Sequence, residues 1–270
     1  GVLMNTPLTP PSKPLVAVHK FSSCDGCQLA FLNLGEDLLT LAGRVELVHF
    51  AEAEPLDPDT EVDVAFVEGS VSTPEELERI QHVRAHSRML IAIGACAVSG
   101  GIQGLRNGAD GAAWVTQIYS HPEAISSLTH STPIASHVKV DFELWGCPVS
   151  GPQMLAVVNA LLLGVAPRDN ADKVCTECKR HGYPCVLVSR GVACMGPVTR
   201  AGCGALCPSL GRDCYGCYGP AENANTDALA AQFGRQGLDP QAVVRRFQSI
   251  NSQAPVFLAA ADKARVTRDE

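Results

Sequence analysis

The sequence contains twelve cysteines, and their distribution constrains the fold more than any other feature. Eight of them fall within residues 175–217, whereas the other four are spread over the first 150 residues. Three kinds of structure use so many thiols: a disulfide framework, structural zinc sites and iron–sulfur clusters. A disulfide framework is typical of small secreted domains that cannot build a core. A chain of 270 residues with 46% hydrophobic side chains can build one.

Zinc and iron–sulfur clusters both use four protein ligands per site, so twelve cysteines fit three sites of either kind. Zinc sites are built from closely spaced pairs of Cys or His, and the segment 175–217 alone could be interpreted in that way. The cysteines here stand in short spacings beside Gly and Pro, which let the backbone wrap closely around a bulky group. The residues therefore favour three iron–sulfur clusters, and zinc remains the open alternative.

Strands and helices alternate along the first 164 residues. A capping-box sequence, Thr73 with Pro74 and Glu76, begins a helix after residue 72. This alternation predicts an α/β fold with a doubly wound parallel sheet. Apolar runs and helical spacing predict strands at 15–21, 44–50, 62–68, 89–94 and 138–145, and further helices at 28–41, near 113–120 and at 153–163.

Four cysteines follow the ends of predicted strands. Cys24 and Cys27 come after the first strand, Cys96 after the strand at 89–94, and Cys147 after the strand that ends near residue 145. Ligands of open α/β sheets bind at the carboxyl ends of the strands, so we expect these thiols to converge on one site. This convergence argues against zinc, whose structural sites usually come from local hairpins or knuckles.

The character of the chain changes after residue 164. Residues 165–222 contain eight cysteines and many Gly and Pro, and we expect a small loop-rich cluster-binding domain that its clusters hold together. We expect helices after Thr226, after Asp239–Pro240 and at 255–266. The sequence thus predicts four parts: a flexible Pro-rich tail 1–14, an α/β domain 15–164, the cluster-binding domain 165–222 and a helical C-terminal tail 223–270.

The eight clustered cysteines form two complete quartets in sequence order. Their spacings are C-x2-C-x6-C-x8-C from Cys175 to Cys194 and C-x3-C-x6-C-x2-C from Cys203 to Cys217. In two-cluster ferredoxins one Cys of each run binds the other cluster. An exchange of ligands between the two quartets therefore stays open at this point.

Charge and motif content exclude several classes of function. The net charge of −7 and the pI near 5.6 argue against a nucleic-acid partner, and the absence of an 18-residue apolar run predicts no membrane span. We find no phosphate-binding glycine loop and no nucleophilic Ser/His/Asp site, so we expect the chain to conduct electrons rather than break bonds. Charged residues make up 18% of the chain, below the ~25% of typical soluble domains, so we expect a partner to cover part of its surface.

The chain resembles the small subunit of NiFe hydrogenases over residues 15–220. The motifs that carry the resemblance are SCDGCQ (23–28), VEGS (67–70), GACAVSGGI (94–102), GCP (146–148), CMGPVTRAGCGALCP (194–208) and CYGCYGP (214–220). The resemblance implies a flavodoxin-like first domain whose proximal cluster lies next to a catalytic large subunit. It implies that the second domain holds medial and distal clusters.

Matched motif by motif, the resemblance implies three [4Fe–4S] clusters with twelve cysteine ligands. Because Glu68 stands at the end of the predicted strand 62–68, we expect it to lie close to the proximal cluster without binding it. We name the ligand sets the proximal group (Cys24, Cys27, Cys96 and Cys147), the medial group (Cys203, Cys207, Cys214 and Cys217) and the distal group (Cys175, Cys178, Cys185 and Cys194).

Two positions depart from the membrane-linked branch of that family. Cys175 stands where those members usually have His, and Cys207 stands where many have Pro and a 3Fe–4S cluster. These traits resemble the cytoplasmic bidirectional branch, so the resemblance implies a cytoplasmic hydrogenase subunit. Its partners would be a NiFe-containing large subunit and flavin or iron–sulfur diaphorase-type subunits that reduce NAD(P).

Three alternatives remain. Related subunits of respiratory complex I characteristically carry an adjacent Cys-Cys pair and one cluster, whereas here Cys24 and Cys27 are two residues apart and eight more cysteines follow. An electron-transfer subunit of a non-hydrogenase complex would hold the same clusters without a NiFe neighbour. A zinc-stabilised scaffold would be colourless and would need its cysteines only for folding.

Overall fold

A computed structural model describes residues 13–52 and 59–266 of the chain. The predicted flexible tail lies outside the described residues apart from Lys13 and Pro14. The last four residues of the predicted helical C-terminal tail lie outside them as well.

Five parallel strands form one sheet in the described part of the chain, in the order β2-β1-β3-β4-β5. This is the flavodoxin-like order, and the direction of winding reverses between β1 and β3. The predicted doubly wound parallel sheet is therefore confirmed. The strands are β1 (Leu15–Lys20), β2 (Glu46–Phe50), β3 (Val62–Glu68), β4 (Ser87–Ile93) and β5 (Phe142–Leu144).

Helices cover both faces of the sheet and make up most of the regular structure after it. Within the described ranges, none of them is both long enough and apolar enough to cross a bilayer. The α-helices are α1 (Gly26–Leu32), α2 (Glu36–Ala42), α3 (Pro74–Ala85), α4 (Gly94–Ser99), α5 (Gly111–Ile118), α6 (Gly151–Leu162), α7 (Val174–Arg180), α8 (Val186–Ser189), α9 (Leu206–Ser209), α10 (Thr226–Arg235), α11 (Pro240–Gln248) and α12 (Pro255–Val266).

The central strand β3 shows why both faces must be covered. Its side chains alternate between two buried clusters: Val64 and Phe66 face one, and Ala65 and Val67 face the other. Strands of a parallel sheet with helices on both faces are apolar at almost every position, and β3 has this pattern. The cluster around Phe66 also contains side chains of α1 and α6, and the opposite cluster contains Ile80 of α3.

The capping box is confirmed at the start of α3. The Thr73 side chain accepts a hydrogen bond from the Glu76 backbone N–H at 3.2 Å, and the Glu76 carboxylate accepts one from the Thr73 N–H at 3.2 Å. The same carboxylate accepts a hydrogen bond from Ser22 beyond β1, at 3.0 Å. This cap therefore also ties α3 to the segment that precedes Cys24.

Most predicted bounds lie within one or two residues of the observed ones, and two predicted elements differ by more. The single helix predicted at 28–41 is wrong, because the chain forms α1 and α2 with a break at residues 33–35. Gly35 there has φ +61°, a left-handed conformation that suits glycine and ends a regular helix. The strand predicted at 138–145 is only three residues long, because β5 is an edge strand that pairs with β4 over residues 142–144 alone.

The three predicted C-terminal helices are present as α10, α11 and α12. Phe233, Phe247 and Phe257 of these helices pack together, and each is at most 1% exposed. The same buried cluster contains Met195 from the cysteine-rich segment and Val67 from the sheet. The division into domains stays a prediction, but the hydrophobic core runs across its boundaries at 164 and 222.

Candidate metal centres

The proximal group lies at the carboxyl end of the sheet. Cys24 follows β1, Cys27 lies in the first turn of α1, Cys96 lies in α4 directly after β4, and Cys147 follows β5. Burial raises the pKa of the Cys96 thiol to about 12, and the nearby thiols of Cys147 and Cys24 contribute to that rise. Four cysteines from three strand ends therefore surround one place at the β1/β3 switch point, where flavodoxin-like sheets bind their ligands.

Two glycines leave room beside these thiols. A Cβ atom on Gly94 would lie 2.4 Å from the Cys27 Sγ, and one on Gly101 would lie 2.5 Å from the Cys96 Sγ. Both glycines also have left-handed φ values, +85° and +59°. Any larger residue at either position would push against a thiol, so the backbone here is shaped around the sulfur atoms. This fits the close wrapping that a bulky cluster requires.

Glu68 lies at the end of β3, and only 2% of it is exposed. Its carboxylate accepts hydrogen bonds from the backbone N–H of Cys27 at 3.0 Å and of Gln28 at 3.2 Å. These are amides of the first turn of α1, which have no partner within their own helix. Burial raises the pKa of Glu68, and the two amide hydrogen bonds oppose that rise. Glu68 therefore holds the turn that carries Cys27.

We expect Glu68→Gln to lower the melting temperature and to change the EPR spectrum of the proximal cluster. A glutamine directs its NH2 group at one of the two amides, and leaving a buried donor unpaired costs about 1–3 kcal/mol. Exposed Glu222→Gln is the matched control. An unchanged proximal EPR spectrum with unchanged turnover would remove Glu68 from the site.

The distal group lines a single cavity. Cys175 and Cys178 lie in α7, Cys185 directly precedes α8, and Cys194 follows in a loop. Burial raises the pKa of Cys175 to about 11, with contributions from the other three thiols of the group. The structure therefore brings these four cysteines together, and Cys185 is the exposed member.

The medial group lies close to both of the other groups. Burial raises the pKa of Cys217 to about 12, and the neighbouring thiols are Cys203, then Cys147 of the proximal group, then Cys207. Cys203 in turn is close to Cys178 of the distal group. The medial group therefore has near neighbours in both of the other groups.

One medial cysteine also contacts the distal group directly. The backbone N–H of Cys214 donates to the Cys194 Sγ at 3.3 Å, and the Cys214 thiol is close to both Cys194 and Cys217. The assignment of individual ligands to the medial and distal groups accordingly stays a prediction.

A site for one ion and a site for a cluster place different requirements on the thiols of the three groups. In the ranges 13–52 and 59–266, no three His, Cys, Asp or Glu side chains lie close enough together to hold a single metal ion. A structural zinc ion needs its ligand sulfurs at about 2.3 Å. An iron–sulfur cluster contains several iron atoms, and its four cysteines stand around the whole cluster. The all-thiol donor sets, and the glycines that leave room beside the sulfur atoms, fit a multi-iron cluster.

Sequence reasoning missed a second carboxylate contact, which is half-buried. Glu177 lies between Cys175 and Cys178, and its carboxylate accepts hydrogen bonds from the backbone N–H of Gly202 at 2.8 Å and of Ala205 at 3.0 Å. It thereby holds the loop around Cys203. The glutamate in CTEC is visible in the sequence, but no local pattern links it to a loop 25 residues later.

The chain is similar to known proteins in sequence and in fold. Residues 24–161 match the family described as NADH ubiquinone oxidoreductase, 20 Kd subunit. Sulfhydrogenase 2 subunit delta of Pyrococcus furiosus is 35% identical over an alignment that covers 79% of this chain and 90% of that protein. The NAD-reducing hydrogenase HoxS subunit delta of Cupriavidus necator is 30% identical, with coverage of 55% and 78%.

A solved structure of an NAD+-reducing [NiFe]-hydrogenase in the H2-reduced state contains a chain with a similar fold. It superposes with a TM-score of 0.54 at 28% identity, and the match covers 58% of this chain and 94% of that one.

Proposed function

Because this chain belongs to the NADH ubiquinone oxidoreductase 20 Kd subunit family, and within it to the hydrogenase small subunits, we propose that it relays electrons through three [4Fe–4S] clusters. In such hydrogenases, dihydrogen is activated in the large subunit. The proposed path runs from that NiFe site through the proximal, medial and distal groups to an acceptor.

The observation that carries this proposal is the position of the medial group beside both of the other cysteine groups. Cys147 of the proximal group is close to Cys217 of the medial group, and Cys203 of the medial group is close to Cys178 of the distal group. Electron tunnelling falls steeply with distance, so a relay needs closely spaced stations between a buried donor and a surface acceptor. The exposed Cys185 provides the surface end.

At each of the three cysteine groups, the chain's own residues bind the cluster, orient it and exclude water from it. Bound clusters supply one-electron carriers. The cysteines must be thiolates to hold iron, whereas burial raises the pKa of thiols in all three groups, so we expect cluster binding to release protons. Glu68 and Glu177 hold the segments that carry Cys27 and Cys203.

Exposed apolar side chains support the large subunit as a partner. The helix α5 has no buried residue, and Trp114 and Ile118 on it are 49% and 71% exposed. Ile102 is also exposed, next to Gln103, whose Oε1 lies 3.1 Å from the Cys96 Sγ. This apolar surface therefore begins beside the proximal group, where the proposed path enters the chain.

We extend the proposal to the acceptor, a nicotinamide nucleotide reduced by flavin or iron–sulfur diaphorase-type subunits. The NAD-reducing relative supports it, and so does the presence of Cys175 at the position that we propose for the first distal ligand. Replacing a His ligand by a thiolate adds negative charge and lowers the potential of a cluster, which suits a low-potential acceptor. Lys179 and His181 are exposed near the distal group, and they are candidates for contact with the acceptor subunits. A nicotinamide acceptor also favours the cytoplasm.

Metal analysis of the anaerobically purified native complex tests the proposal. We expect about twelve iron and twelve acid-labile sulfide per chain from three [4Fe–4S] clusters, with nickel and further iron in a co-purifying subunit. Twelve iron without nickel would indicate an electron-transfer subunit of another kind of complex. Zinc without labile sulfide would overturn the cluster assignment.

A further inference from the structure

The loop between α11 and α12 is inserted between two cysteine-bearing segments. Asn251 and Ser252 in this loop are 1% and 3% exposed, although both are polar. On one side lies the segment that follows Cys96, and on the other lies the turn from Cys214 to Cys217. The loop comes from a part of the chain without any cysteine and outside the match to the family at 24–161.

The Asn251 side chain connects these two segments directly. Its Nδ2 donates a hydrogen bond to the Gly216 carbonyl oxygen at 2.7 Å, and its Oδ1 accepts one from the Ser99 hydroxyl at 2.8 Å. Ser99 is at the end of α4, one helical turn after Cys96. The Gly216 N–H in turn donates to the Cys214 Sγ at 3.4 Å. One buried amide therefore lies between a proximal ligand segment and a medial one.

Neighbouring contacts hold the loop in place. The Ser252 hydroxyl donates to the Gly101 carbonyl at 3.1 Å, and the Gln253 N–H donates to the Ser99 carbonyl at 3.1 Å. Packing is close as well, because a Cβ on Gly104 would lie 2.4 Å from the Ser252 hydroxyl oxygen. All three loop residues contact the segment 99–104, whereas Asn251 alone also reaches the medial turn by a side-chain hydrogen bond.

We infer that Asn251 is a positioning residue for electron transfer: it fixes the separation and orientation of the proximal and medial clusters. This inference rests on the proposed function, which supplies the clusters. The side-chain amide of Asn251 is buried, and both its nitrogen and its oxygen are hydrogen-bonded. If the two segments moved apart, one of these atoms would lose its partner at a cost in free energy, so the hydrogen bonds hold the segments at one spacing. A small change of that spacing alters the tunnelling rate, because the rate depends steeply on distance.

The test compares Asn251→Ala and Asn251→Asp in the purified complex with Asn223→Ala, an exposed asparagine, as the control. Asn251→Asp retains the acceptor for Ser99 but cannot donate to Gly216, so it breaks the medial end alone. The measurements are iron content, the spin–spin interaction between the reduced proximal and medial clusters by EPR, and the rate at which the medial cluster is reduced after mixing with H2.

In both Asn251 variants we expect unchanged iron content, an altered spin–spin interaction and a several-fold slower reduction of the medial cluster, with the control unchanged. A wild-type spin–spin interaction and a wild-type reduction rate in both variants would overturn the inference, because Asn251 would then serve folding alone. If the Asn251→Ala complex does not assemble, Ser99→Ala is the substitute. It removes the hydrogen bond between Ser99 and Asn251 at little change in volume, and the spin–spin interaction and the reduction rate are measured as before. Absence of cluster signals from the wild-type complex would instead overturn the proposed function.

Discussion

We expect replacement of Cys147 by serine to abolish H2-dependent reduction of the acceptor, whereas hydrogen–deuterium exchange by the large subunit should be retained. Cys147 is the proximal thiol close to Cys217, so it stands where the proposed path passes from the proximal to the medial group. Iron in these clusters is held by thiolates, and a serine hydroxyl is a poor substitute. We expect the loss of about four of the twelve iron atoms, because each cluster of this type contains four.

Iron analysis, EPR of the reduced complex and the two activity assays check this result. Ser127→Ala, an exposed serine between α5 and β5, is the control and should retain full iron and turnover. A Cys147→Ser complex with wild-type iron content and wild-type acceptor reduction would contradict the assignment of the proximal group.

Arg200→Ala should destabilise the chain by about 2 kcal/mol, less than the ~3–5 kcal/mol of a fully buried pair, since it removes one partner of a partly buried ion pair and leaves the other charge uncompensated. The Arg200 and Asp169 side chains form an ion pair, and they are only 15% and 16% exposed. Arg200 also donates to the Pro220 carbonyl at 3.1 Å, and its guanidinium lies 5.3 Å from the centre of the Trp145 ring. Because Trp145 precedes Cys147 and Pro220 follows Cys217, Arg200 joins the surroundings of the proximal and medial groups.

Thermal unfolding of the anaerobic complex, with iron content as a second readout, checks this effect. Arg200→Lys retains the charge but not the planar guanidinium group, so we expect a stability between those of the wild type and Arg200→Ala. Arg235 is exposed and interacts with Gln232 within α10. Arg235→Ala should therefore change the stability by less than about 0.5 kcal/mol. A melting temperature of Arg200→Ala equal to that of Arg235→Ala would show that Arg200 does not join the two regions.

The proximal group illustrates how far sequence reasoning reaches. The local sequence predicts where a buried apolar strand ends. For example, β3 has the bounds 62–68 that its apolar run predicts. Strand ends of a parallel sheet share one edge, so the convergence of Cys24, Cys96 and Cys147 follows from the order of the strands. The capping box at Thr73 is equally local, since all its atoms belong to four consecutive residues.

The break between α1 and α2 shows the limit of that reasoning. Apolar residues continue at helical spacing from 28 to 41, so periodicity predicts one helix, but the backbone takes a left-handed conformation at Gly35. A glycine permits this conformation without requiring it. Whether the chain bends there depends on how both halves pack, and periodicity carries no information about that.

Local patterns in the chain thus specify the type of fold, the cysteines as ligand candidates and the edge of the sheet where four of them meet. Those features depend on short-range backbone preferences and on the rule that parallel strands end together. The roles of Glu177 and Asn251 depend instead on contacts between segments 25 to 152 residues apart. The position of the medial group beside the other two depends on the same folded packing, because nothing local in the sequence states which distant amide or carbonyl a buried polar side chain will meet.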